Sequence, residues 1–344
     1  MHQLDSLRGL AAVTVVCHHW DRALWANRPS WPLIPLVSGY EAVILFFVLS
    51  GYVLSLPVWR ERQPPYPEYL VRRVCRIYLP YLAALALAIV GCYFFGNSLL
   101  PLTPWFYETW HTPLSPQLIF RQILMDPGPQ LNTAFWSLRY EMEMSLIFPF
   151  VCMLMLRTGR YSGIFLILAI KAVSHVLLGS RFGQSHWMLT LSYSEFFIAG
   201  ATIARAQEPL KRLVSRMSQP PLWITLTLTV ITYFYIASFS NNAGNYEMVA
   251  VCCLIILIQD PRMHLGLQSR AAEYLGRISY SSYLVHGTVL FTLLSLLYGK
   301  IPLAWLAVIY GAATLVISHL FCVFLEEPSQ RLGRRIGTHM RERR

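Results

Sequence analysis

About ten apolar stretches of roughly 20 residues each, joined by short connectors, leave this chain few folds to choose from. They run at about 7–25, 36–56, 78–97, 134–156, 161–179, 187–204, 220–238, 246–259, 279–298 and 303–324. In a bilayer every backbone N–H and C=O must be satisfied within its own segment, so stretches of this length become helices. Hydrophobic residues make up 55% of the 344 and charged residues 13%, with a mean hydropathy of +0.46. That balance belongs to a chain whose apolar surface is covered by lipid. The expected fold is all-α: a polytopic membrane protein with about ten transmembrane helices. The eighth stretch is short and the fifth carries Lys171 and His175, so either can be tilted or partly buried in protein.

Charge sets the orientation. The net charge of +11 would fit a nucleic-acid binder, but the arginines sit in short connectors, where topology signals sit. If the N-terminus is cytoplasmic, 21 of the 28 basic residues fall on the inner side, including the six arginines after Gln330. The expectation is both termini inside, and no nucleic-acid partner. The seven cysteines lie mostly within apolar runs and form no Cys-x-x-Cys pair; they are expected as small core residues, with no metal site and no disulfide frame. The first stretch lacks a small-x-small cleavage site and is expected to be retained as a span rather than removed as a signal. The longest connector, about 98–133, is rich in proline and aromatics and is expected outside, as an interfacial or re-entrant segment. Its Trp105, Phe106, Tyr107 and Trp110 would suit sugar stacking or an interfacial aromatic belt. The tail RLGRRIGTHMRERR is basic, and is expected either against anionic lipid or disordered. No internal repeat is visible, unlike repeat-built transporters.

The first stretch, LDSLRGLAAVTVVCHHWDRALW (4–25), keeps Asp5, Arg8, His18 and His19 within an apolar run. Such groups are expensive in lipid and mark function by default. At about 100° per residue, Arg8 and His19 are eleven steps apart, close to three turns, so they share a face about 16 Å apart along the axis. Asp5 falls within about 40° of His19, whereas His18 lies about 80° from Arg8. Phase therefore selects His19, with acid/base or nucleophilic work as its chemistry and anion binding as that of Arg8. The plainer reading is juxtamembrane charges and a hydrogen-bonded bundle histidine.

Four further stretches carry chemistry. In FFVLSGYVLS (46–55), Ser50 and Gly51 allow either close helix approach or room for a thin ligand chain. In RRVCRIYLPY (72–81), Arg72, Arg73 and Arg76 can share one broad helical face, as topology signals or as bidentate holders of phosphate. In FWSLRYEMEMSLIFP (135–149), Glu141 and Glu143 point about 200° apart on a helix, so only one easily faces the interior; a salt bridge with Arg139 at headgroup level is the alternative. In LGRISYSSYLVHG (275–287), Tyr283 and His286 lie three apart, and His286 is expected as a satisfied bundle histidine. There is no Gly-x-Ser-x-Gly elbow, no phosphate-binding P-loop and no His-Glu-x-x-His helix.

In this order and spacing, LDSLRGLAAVTVVCHH, FFVLSGY, the Arg73-x-x-Arg76 pair, WSLRYEMEMSLIFP, LGRISYSSYLVH and a closing LEEPSQR resemble the acyltransferase-3 family of integral membrane acyltransferases. The usual fourth block reads like WSLSVEEQFYLIWP; here Glu141 takes the glutamate position and Glu143 stands where a glutamine is usual. The resemblance implies one membrane domain over 1–328 with a basic cytoplasmic tail over 329–344, in a bacterial inner membrane. Because the sequence ends soon after the last span, the extracytoplasmic SGNH-type domain that some members carry is not expected here. The resemblance also implies transfer of an acyl group, most simply acetyl, from cytoplasmic acyl-coenzyme A to a hydroxyl of a carbohydrate or lipid-linked glycan acceptor. On that basis His19 and Glu141 are the candidate catalytic residues. Arg8, Arg73, Arg76, Ser50 and Gly51 are the candidate donor-binding residues, membrane lipids are the surroundings, and no metal is required. A transporter or proton-coupled channel using the same His, Glu and Arg groups is the alternative.

Overall fold

Helices fall on all ten apolar stretches in the computed structural model, which describes residues 2–25, 33–96, 98–110, 113–126, 131–178, 185–236, 243–263 and 265–342. In chain order they are α1 His2–Leu24, α2 Ile34–Val37, α3 Gly39–Trp59, α4 Tyr66–Arg73, α5 Leu79–Phe95, α6 Pro104–Trp110, α7 Pro116–Ile123 and α8 Phe135–Thr158. There follow α9 Ser162–Leu178, α10 His186–Arg205, α11 Gln207–Ser215, α12 Gln219–Ile231, α13 Ala243–Leu257, α14 Arg270–Leu297, α15 Leu303–Phe321 and α16 Glu327–Glu342. Three π-helical turns, Val74–Tyr78, Thr232–Ile236 and Cys322–Glu326, follow α4, α12 and α15. No strand occurs among the described residues. Parts of the long outer connector (111–112 and 127–130), the ends of expected spans at 97, 179 and 237–238, and Arg343 and Arg344 of the tail lie outside the described residues.

Length and apolarity single out fewer crossings than ten. Gly39–Trp59, Tyr66–Phe95, Arg270–Leu297 and Leu303–Glu342 are each long and apolar enough to cross a bilayer. A fifth is added if α8 and α9, bent by 119° at their junction, count as one. Among the described residues, four or five helices of that kind mark an integral membrane protein. α1 is long enough but carries Asp5, Arg8, Asp21 and Arg22, and these dilute its apolar surface.

The chain divides into two compact units: Met1–Ala11, Tyr40–Pro64 and Glu143–Glu273 form one, and Ala12–Gly39, Pro65–Met142 and Tyr274–Arg344 the other. In the first unit, α3 and α10 meet backbone to backbone. A Cβ placed on Gly51 would run into the Phe197 carbonyl, and one on Gly200 into the Val48 carbonyl. Small residues at a helix crossing replace side-chain packing with main-chain contact, which is how helices associate without a hydrophobic driving force. α9 is tied to α10 by the Lys171–Glu195 ion pair at 2.7 Å. In the same unit, Val214 of α11, Leu222 and Leu226 of α12, Leu257 of α13 and Met263 beyond it form a small core. Beside it, Arg262 pairs with Asp260 at 2.8 Å and donates to the Met217 and Val214 carbonyls. The Arg262 hydrogen bonds hold the Asp260 carboxyl below the usual carboxylate range.

In the second unit, Tyr78 and Tyr81 donate to the Ile123 and Gln122 carbonyls, pinning the end of α7 to α5 and the π-turn before it. The tail is helical rather than disordered. In α16, Gly333 lies against Cys75 and Arg72, and Gly337 against Glu68 and Arg72. That docking leaves Leu332 and Ile336 exposed beside the arginines.

Candidate functional site

The second half of α1 and α14 bring together two histidines that are 267 residues apart in sequence. His19 Nδ1 and His286 Nε2 are 2.6 Å apart, and the two rings lie edge to edge, their centroids 4.8 Å apart and their planes within 9° of each other. His286 is wholly buried and His19 is 8% exposed. The other ring nitrogen of His286, Nδ1, donates to the Ser282 carbonyl at 2.9 Å, one turn back on α14. Trp105, on α6, stacks at 5.2 Å from the His19 ring and 5.8 Å from that of Phe291.

The outer connector is built to hold that tryptophan. Thr103 donates to the Arg22 carbonyl at 2.6 Å, fastening the start of α6 to the end of α1. Trp110 is buried, donates to the Leu131 carbonyl at 2.9 Å and stacks on Phe291. Asn132 donates to the Leu284 carbonyl of α14. Of the aromatics expected at a lipid interface or against sugars, Phe106 and Trp110 are therefore interior and Trp105 roofs His19.

His18, the neighbour that helical phase set aside, has a different occupation. Its Nδ1 donates to the Val37 carbonyl at 2.6 Å, and its ring fills the space above Gly39.

Glu141 is within electrostatic reach of Tyr280 and Tyr283 on α14. Tyr283 shares a 2.6 Å hydrogen bond with Ser137, one turn before Glu141 on α8, and its ring lies 5.9 Å from that of His286. The ring nitrogen of His19 that a carboxylate would orient is held by His286. Tyr280 donates to the Ile77 carbonyl at 2.8 Å, and the charges of Arg73 and Arg76 also act on it, together with Glu326. Arg76 sits on the π-turn Val74–Tyr78, a local widening of the helix that re-aims its side chains. Arg73 is buried and its Nε meets no hydrogen-bond partner. Arg72 is spoken for by Glu68 at 2.5 Å.

Five of the residues singled out in the sequence lie in the first unit. Arg8 is half-buried on the same helix as His19, and Asp5 is exposed. Ser50 is half-buried and Gly51 makes the α3–α10 crossing. Glu143 accepts from Thr190 at 2.5 Å and pairs with His186 at 3.6 Å, so it serves the α8–α10 contact. Arg139 meets Asp126 at 3.3 Å in the second unit. Among the described residues no three His, Cys, Asp or Glu side chains group as a metal site, and the seven cysteines are free thiols.

His286 is the residue that motif reasoning passed over. A buried ionisable group in an apolar helix is a functional candidate by default, and that rule applied as much to His286 as to His19. It is indeed a satisfied bundle histidine, but its partner is His19.

A polytopic helical protein with a histidine pair inside it and arginines at the foot of one helix defines a class rather than a substrate. The chain belongs to the Acyl_transf_3 family, an acyltransferase domain, whose profile matches residues 1–323. Among similar curated proteins are the peptidoglycan O-acetyltransferase OatA of Listeria monocytogenes, 23% identical over 96% of this chain and 56% of its own length, and the putative peptidoglycan O-acetyltransferase YrhL of Bacillus subtilis, 26% identical over 96% and 55%. The O-acetyltransferase PaAT-1 of Phomopsis amygdali is 22% identical over 84% of this chain and 72% of its own length. The chain thus spans little more than half the length of the first two. No solved structure gives a significant match.

Proposed function

We propose that this chain is a membrane O-acyltransferase domain that moves an acyl group, acetyl in the first instance, from cytoplasmic acyl-coenzyme A to a hydroxyl of an extracytoplasmic or exported glycan. The domain would cross the membrane about ten times with both termini inside. The reading is carried by one observation: a buried histidine on the polar first helix, held at one ring nitrogen and roofed by a tryptophan, in a chain that belongs to an acyltransferase family.

His19 is the catalytic residue in this reading. It takes the acceptor hydroxyl's proton as the oxygen attacks the thioester carbonyl, or it receives the acyl group first and passes it on. In both routes the carbon–sulfur bond breaks, an ester carbon–oxygen bond forms, and the hydroxyl proton ends on the coenzyme A thiol. Arg73 and Arg76 are of the right chemistry for the donor's phosphates, and the unpartnered Arg73 Nε fits such a role. Arg8, Ser50 and Gly51 are further proposed donor-binding residues, and Glu141 would act through Tyr283 or on the acceptor. The glycan acceptor follows the names of the bacterial relatives.

Purified protein in proteoliposomes, given labelled acetyl-coenzyme A inside and muropeptides or other surface glycans outside, should yield a labelled, alkali-labile ester. Solute uptake without any dependence on acyl-coenzyme A, and no ester on any glycan, would replace this reading with the transporter.

A further inference from the structure

We infer that His286 is a positioning residue: it fixes His19 as the Nδ1–H tautomer and so turns the Nε2 lone pair of His19 toward the reacting groups. Hydrogen-bond bookkeeping leads to this. The Ser282 carbonyl can only accept, so His286 Nδ1, 2.9 Å away, carries a proton. A buried charge needs an opposing partner, and both ring nitrogens of His286 meet uncharged ones. A neutral ring protonated at Nδ1 has its lone pair at Nε2. The 2.6 Å contact with His19 is then a hydrogen bond only if His19 Nδ1 donates; His19 is buried beside that uncharged partner and so neutral by the same rule, which leaves its Nε2 unprotonated. The order of donation is His19 Nδ1–H to His286 Nε2, then His286 Nδ1–H to the Ser282 carbonyl. The remaining nitrogen of a metal-free catalytic histidine is commonly set by what the first one bonds; here a second histidine anchored on its own helix backbone stands where a carboxylate would.

Trp105 completes the arrangement. Stacked on the His19 ring at 5.2 Å, it blocks rotation out of that plane and keeps Nε2 aimed one way. Both transfer routes need the same nitrogen, because a base and a nucleophile alike use the lone pair. The device therefore serves either route. Its catalytic meaning rests on His19 being the reacting group, as proposed above; the tautomer itself does not.

The test has two readouts. Protein labelled with 15N-histidine, with His19 and His286 resonances assigned from His19→Ala and His286→Phe samples, should show His19 protonated at Nδ1 and bare at Nε2. In His286→Phe the preference should disappear. In the transfer assay, His286→Phe should lower kcat about 100-fold or more with the donor KM unchanged, within the range of a lost acid–base contribution. His286→Gln, whose amide oxygen can still accept from His19 Nδ1–H, should stay within about tenfold of wild type. A wild-type His19 protonated at Nε2 would overturn the inference even if neither variant folds. So would a Gln variant as inactive as Phe, which would make His286 a matter of shape. If instead the tautomer is as stated and His19→Ala remains fully active, the inference stands and the transfer chemistry assigned to His19 falls.

Discussion

At the scale of residues, the two neighbouring histidines of α1 face different neighbours, and the difference is measurable. His19 bonds a side chain that itself ends on a carbonyl, whereas His18 spends its Nδ1–H on the Val37 backbone. His19→Ala should reduce acyl transfer at least 100-fold while expression and thermal unfolding stay near wild type. His18→Ala should keep most activity and cost about 1 kcal/mol of stability through one lost hydrogen bond. Equal losses in both would remove the distinction. The arginines divide in the same way. Arg72 and Arg73 both have a buried Nε without a partner, but Arg72 is paired with Glu68 through Nη2, whereas Arg73 has no such carboxylate among the described residues. Arg73→Ala and Arg76→Ala should each raise the donor KM about 10- to 100-fold, the worth of a charge-assisted bond, with Arg72→Ala well behind. Unchanged donor dependence in all three would return them to topology signals.

At the scale of elements, the α3–α10 crossing is set by two glycines that let one backbone touch the other. A methyl at Gly51 or at Gly200 meets a carbonyl of the opposing helix rather than a movable side chain. Gly51→Ala and Gly200→Ala should each lower thermal stability in detergent, by about 1–3 kcal/mol as overpacking does. Gly311 on α15 makes the control: a Cβ there meets nothing within 4 Å, so Gly311→Ala should be neutral or stabilising by up to about 1 kcal/mol. Stability measured by differential scanning fluorimetry separates the two outcomes. The π-turn at Val74–Tyr78 belongs to this scale as well. A simple 3.6-residue count puts Arg72 and Arg76 on one face, and the wider turn changes where Arg76 projects.

At the scale of the whole molecule, the first unit carries a pH-dependent brace. Asp260 is held by Arg262 below its ordinary carboxylate range. A depressed folded-state value means the brace is fully in force above the unfolded value, near 3.9, and is lost as pH falls through the lower folded value. Asp260→Asn should therefore lower the unfolding temperature at pH 7, and its difference from wild type should shrink steadily below about pH 4. A difference that persists at low pH would point to lost packing rather than lost charge. The same scale decides α16, where Gly333 and Gly337 seat a basic helix against α4; its sequence, taken alone, also allowed a disordered tail.

Much of this protein is legible along the chain. Runs of 20 apolar residues dictate helices because lipid offers the backbone no other partner, and all ten runs are helical. Helical phase puts Arg8 and His19 on one face of α1, because that is geometry within a single element. What the sequence could not supply is which faces meet. His286 comes to His19 only when α1 and α14 pack, Trp105 reaches the same ring only when the connector folds back and Thr103 bonds the end of α1, and Gly51 proves to be a crossing point only against α10. Local periodicity is fixed by a few covalent dimensions. Contacts between distant helices depend on the sum of many small packing terms over the entire chain, and no single segment contains that sum.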